Sequence, residues 1–159
     1  MKQATGHTGQ ILKALLASWV TIVFGTSMLI VAFAPIQQKT HSSNKLINFL
    51  IQIWEVADEM GPAVKIAIIL LFAIGIFSCR KFLANSNFIF ASIISVLFAI
   101  VSVFLVLAFL PAEYSRGFGI GLTGTRFDER VIIFYLIGAF AGGLVFTYTY
   151  YRLMKKTSA

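Results

Sequence analysis

Charge is what this sequence lacks most. Only 12% of its 159 residues are Asp, Glu, Lys or Arg, and just 6 are acidic. A soluble domain carries about 25% charged residues, so this chain cannot clothe itself in an ordinary hydrated surface. The shortage also excludes a disordered polyelectrolyte, which needs high net charge and few apolar groups. A single cysteine, Cys79, excludes an intrachain disulfide framework. The 2 histidines, His7 and His41, lie outside the long apolar runs, so no helix offers axial ligands for a haem. No clustered set of His, Cys and carboxylates reads as a metal site, and no nucleophile motif is found. Neither a cofactor nor a metal is expected. Each of the 3 prolines (Pro35, Pro62, Pro111) falls at the edge of an apolar run, which leaves the interiors free to be helical. There is no internal repeat.

Hydrophobic residues make up 58% of the chain, Phe alone occurring 16 times, and the mean hydropathy is +0.88. These residues gather into four runs, at about 14–34, 63–79, 88–110 and 131–151. About 20 helical residues cross a ~30 Å hydrocarbon core. The second run is the shortest, and it spans if Lys65 at its edge sends its ammonium to the interface. The first run follows Lys2 and Lys13 and ends in Ala32-Phe33-Ala34, as a signal peptide would. It is longer than the ~7–15 residues of a signal core, and Pro35 would follow the cut, so a retained helix is expected. The sequence therefore predicts an all-α integral membrane protein, one domain over residues 1–159, with four transmembrane helices.

Residues 44–60, NKLINFLIQIWEVADEM, have a different pattern. Leu46, Phe49, Leu50, Ile53, Ala57 and Met60 recur at helical spacing, opposite a stripe of Asn48, Gln52, Glu55 and Glu59. This reads as an extracytoplasmic amphipathic helix lying in the interface, with Trp54 at headgroup level. Gly61-Pro62 then redirects the chain. Residues 1–13 read as a short polar arm and 79–87 as a turn.

Of the 13 Lys and Arg, seven (Lys2, Lys13, Arg80, Lys81, Arg152, Lys155, Lys156) fall on the side of the termini. No acid accompanies them. Lys39, Lys45, Lys65, Arg116, Arg126 and Arg130 fall on the other side, with every Asp and Glu. The denser basic side is expected to face the cytoplasm, placing both termini there in a plasma or inner membrane. Such a rim attracts anionic lipid and accounts for the +7 charge without nucleic acid. No aromatic–basic interleaving points to DNA or RNA.

Small residues mark the faces expected to pack. Ser18, Thr21 and Gly25 share a face of the first span, and Ser92, Ser95 and Ser102, with Ala99, share one of the third. Gly138 and Gly142 form a G-x-x-x-G in the fourth, repeated one step round by Ala139 and Gly143. These faces let helix backbones approach where lipid supplies no hydrophobic drive. Tyr148, Tyr150 and Tyr151 read as an aromatic belt before the final basic residues.

The outer loop, 111–130, holds Gly119, Gly121 and Gly124, a literal G-x-G-x-x-G. A dinucleotide fingerprint needs a strand before it and a βαβ unit around it. Here an apolar span precedes it, so the glycines read as a mobile or docking loop. Arg116, Arg126 and Asp128 in that loop, facing Trp54 and the acids of 44–60, are candidate partner contacts. Thr125-x-x-Asp128 resembles a capping box for the last span.

Ionisable groups inside a bilayer are the usual mark of transport or proton relay, and the spans hold none beyond Lys65. No Gly/Pro pair interrupts the middle of a span. The expected role is non-catalytic: a small subunit that packs against, and stabilises or regulates, a larger integral membrane complex. Two alternatives belong to other classes. A channel or permease component would depend on Thr21 or Ser95, and an interfacial enzyme on carboxylates such as Glu55 and Asp128.

Overall fold

The computed structural model describes residues 2–34, 43–109 and 129–157, with the side chains of 8–34, 43–109 and 131–155. The described residues form six helices and no strand. They are α1 (Lys2–Phe33), α2 (Lys45–Glu59), α3 (Pro62–Ser78), α4 (Arg80–Asn85), α5 (Phe88–Phe109) and α6 (Glu129–Thr157).

The polar arm expected over 1–13 is helical from Lys2 onward, and the expected turn after Cys79 contains α4. Both departures have one cause. Extending an existing helix needs only propagation, without the unfavourable nucleus, and neither stretch holds a proline. The Cys79 carbonyl accepts the N–H groups of Phe82 and Leu83 at 3.0 and 2.9 Å, which starts α4 directly off α3. Extended backbone at Ser86 ends it, and the Asn87 Oδ1 accepts the Phe90 N–H at 3.3 Å to cap α5. At α2, Asn44 is the N-cap, its Oδ1 accepting the Leu46 N–H at 3.0 Å. Gly61, with φ 74° and ψ 152°, separates α2 from α3. That region of backbone space is essentially reserved for glycine. Pro62 opens α3, where its missing N–H costs nothing.

Three apolar stretches are each long enough to cross a bilayer: Thr8–Phe33, Phe88–Phe109 and Val131–Lys155. α2 and α3 pass the same test only together, and they meet at 76°. The described residues thus hold three helices of membrane-crossing length, or four such spans when the bent pair counts as one.

α6 is the central staff. It runs antiparallel to α1, with Thr26 of α1 at Gly138 and Ser18 at Gly142. It also runs antiparallel to α5, with Val96 at Gly143 and Phe88 against Tyr151. α3 joins the bundle through Phe72, edge-on to Phe146 at 5.6 Å, and through Gly75 beneath the Phe98 ring. Phe72 and Phe146 share one buried core with Leu15, Ile22, Val64, Ile68 and Val103, against which Phe98 and Tyr151 pack.

α2 lies along the later half of α1, with Trp54 6.0 Å from Phe24. The Trp19 indole N–H donates to the Lys65 carbonyl at 2.8 Å. Trp19 lies near the middle of the apolar stretch of α1, so Gly61-Pro62 and Lys65 sit alongside the interior of α1. This bond sets the first turn of α3 beside the middle of α1 and not beside its end.

On α2, Ala57 and Met60 of the apolar face are buried, and so is Gln52 of the polar stripe. Leu46, Ile47, Leu50 and Trp54 are exposed, Leu46 by 67% and Trp54 by 65%.

Candidate functional site

The α1–α6–α5 seam holds most of the small residues singled out in the sequence. Successive residues on a helix point 100° apart, so Gly142 and Gly143 face different neighbours. A Cβ at Gly142 would lie 2.3 Å from Ile22 Cγ1 and 3.2 Å from the Ser18 carbonyl oxygen, both on α1. A Cβ at Gly143 would lie 2.5 Å from Val96 Cα and 2.8 Å from its backbone nitrogen, on α5. At Gly138 it would lie 2.1 Å from Thr26 Oγ1. Glycine is required at these positions by close approach, not by backbone angle.

The hydroxyls at the seam are engaged with backbone. Ser18 donates across to the Gly142 carbonyl at 2.7 Å. Ser92, Ser95 and Ser102 donate to the carbonyls four residues back, of Phe88, Ala91 and Phe98. Thr147 reaches the Gly143 carbonyl at 3.3 Å and, more weakly, Ala91 at 3.5 Å. Thr26 is the exception: it is fully buried and its Oγ1 has no hydrogen-bond partner. Its oxygen occupies the space that a Cβ at Gly138 would need.

The α1 stripe divides. Ser18 faces α6 together with Ile22 and Thr26, a ridge of i, i+4, i+8. Thr21 back-bonds to the Ala17 carbonyl at 2.9 Å. At Gly25 a Cβ would meet nothing nearer than Thr21 Cγ2 of its own helix, at 4.0 Å. Thr21 and Gly25 therefore flank the contact.

The tyrosine belt is reduced to one member. Tyr148 is exposed, while Tyr150 is buried and stacked on Phe146 at 6.0 Å. The Tyr151 hydroxyl donates to the Ser86 carbonyl. Three tyrosines within four residues cannot all face lipid from one helix. Those contacts fix one end of the bundle, which carries exposed Lys13, Arg80, Lys81, Arg152 and Lys155.

Arg116, Arg126, Asp128, the G-x-G-x-x-G and the capping-box residues lie outside the described residues. Among the described residues, no group of three or more His, Cys, Asp and Glu could hold a metal ion. Cys79 is a free thiol at the α3–α4 junction. No protein-family model, curated protein or solved structure matches the chain. Residues, not relatives, must carry the functional argument.

Proposed function

We propose that this chain is a small, non-catalytic membrane subunit that packs against a larger integral membrane complex and stabilises or regulates it. In this reading it crosses a cytoplasmic membrane four times, with α3 completing the second crossing and α2 meeting the bilayer from the far side. Both termini and the basic end face the cytoplasm, against anionic lipid.

The observation that carries the reading is how the seam uses its polar groups. Ser18, Ser92, Ser95 and Ser102 donate to helix carbonyls, and the glycines close against neighbouring helices. A bundle whose interior is filled in this way is scaffold. What it leaves outward is the apolar face of α2 with Trp54, and the open notch at Gly25, where a neighbouring helix could approach closely. A photo-reactive residue at Leu50 tests this. It should cross-link one larger membrane protein, whereas one at Leu16 should not. Lipid adducts alone at both positions would remove the proposal.

One observation favours a second reading, a channel or permease component. Transporters place substrate near the midplane at broken helices, and the α2–α3 break lies alongside the interior of α1, with Lys65 in its first turn. Flux in vesicles holding the purified chain alone would support that reading.

A further inference from the structure

An apolar groove of about 390 Å³ runs between α5 and α6. Its walls are Phe88, Ile89, Ile93 and Leu97 on α5, and Phe140 and Leu144 on α6. Ser92, which also borders it, donates its hydroxyl to the Phe88 carbonyl at 2.9 Å. The groove therefore offers a guest apolar surface and no free hydrogen-bond donor. Its size falls within the ~300–1,000 Å³ of small-molecule sites, and it is cut into two helices of membrane-crossing length.

The α6 wall continues past the groove. From Phe140 and Leu144 the same helical face runs on to Tyr148, Arg152 and Lys155, in steps of three or four residues. Tyr148 is 58% exposed, and Arg152 and Lys155 are exposed beyond it. The α5 wall ends at Phe88, in contact with Tyr151, and α4 just before it adds exposed Arg80 and Lys81. No Asp or Glu occurs in residues 60–112 or 131–159. One end of the slot thus opens on uncompensated positive charge, and the other stops at Leu97 and Phe140, level with the middle of α6.

An apolar tail with an anionic head matches that layout. A helix fits it less well: helices approach closely over small residues, and of the eight lining residues only Ser92 is small, the rest being Phe, Ile, Leu and Val. We propose that the α5–α6 groove binds one acyl chain of an anionic phospholipid, whose headgroup is held by Arg152 and Lys155. The proposal rests on the membrane-embedded part of the proposed function and is independent of any partner protein.

The test is lipid retention by the full-length protein in mild detergent, read by native mass spectrometry during titration with phosphatidylglycerol or phosphatidylcholine. Wild type should retain the anionic lipid preferentially. Arg152→Gln with Lys155→Gln should weaken that retention roughly thirtyfold, from about fivefold per surface basic residue, and leave phosphatidylcholine unchanged. Ile93→Trp fills the slot from an exposed position and should reduce both lipids. Leu144→Trp should do the same from the opposite wall, and Leu16→Trp on α1 should reduce neither. Equal retention of the two lipids by wild type would overturn the proposal. So would unchanged phosphatidylglycerol binding in the double variant, or loss of a dimer rather than of lipid in both groove-filling variants. Alkaline extraction of the same membranes separates the two failures. Release into the supernatant defeats the membrane reading itself, whereas retention in the pellet confines any failure to the groove.

Discussion

Replacing Gly143 by alanine adds one methyl group to the tightest helix contact that involves backbone on both sides. The new Cβ would lie 2.5 Å from Val96 Cα and 2.8 Å from its nitrogen, and ordinary contact begins near 3.4 Å. No flexible side chain can yield there, so α5 and α6 must part. A radial gap of about 0.5–1 Å forfeits roughly a quarter to a half of each atomic attraction along the contact. Overpacking of this kind costs about 1–3 kcal/mol. Alanine in a helix interior recovers up to about 1 kcal/mol relative to glycine. The matched control is Gly25→Ala, where the Cβ enters open space, 4.0 Å from its nearest neighbour. That variant keeps the propensity gain without the clash. The two variants should therefore differ by about 1–3 kcal/mol, Gly143→Ala being the less stable. The assay is reversible unfolding in mixed micelles of mild and denaturing detergent, followed by the fluorescence of the chain's 2 tryptophans. Equal stability of the two variants, within about 0.5 kcal/mol, would refute the packing argument at the seam.

Two further outcomes follow from single residues. Gly61→Ala should cost about 1–3 kcal/mol, because φ 74° with ψ 152° is strained for any side chain. It should also change the 76° bend, measurable as a changed spin-label distance between α2 and α3, and an unaltered distance with unaltered stability would contradict this. Thr26→Val removes a buried hydroxyl that has no partner at little change in volume. It should be neutral or stabilising by up to about 1 kcal/mol. Destabilisation of that size in the same micelle assay would show that the hydroxyl is engaged after all.

The helical class, and the positions of three membrane-length helices, are legible in the sequence because both depend on local properties. Long apolar runs report α1, α5 and α6, and glycine and serine spacing reports faces able to pack closely. Which neighbour each face meets is not legible: Gly142 and Gly143 are adjacent in sequence yet meet α1 and α5. The same applies to Thr21 and Gly25, which share the small-residue pattern with Ser18 but flank the contact instead of entering it. At α2 the helix and its apolar residues are legible in the sequence, but not which side meets α1: Gln52 is buried while Leu46, Leu50 and Trp54 are exposed. The placement of the start of α3 beside the middle of α1 rests on one long-range bond, Trp19 to Lys65, and nothing local in the sequence encodes it. The α5–α6 groove has the same origin. Its walls come from residues about fifty apart in sequence, and none of them is polar enough to draw attention alone.

If this bundle is a structural member of a larger membrane assembly, as proposed, native mass spectrometry after mild extraction from the native membrane should show the chain in fixed stoichiometry with at least one larger integral membrane protein. Emergence as a monomer or a homo-oligomer, with the bundle intact, would contradict it.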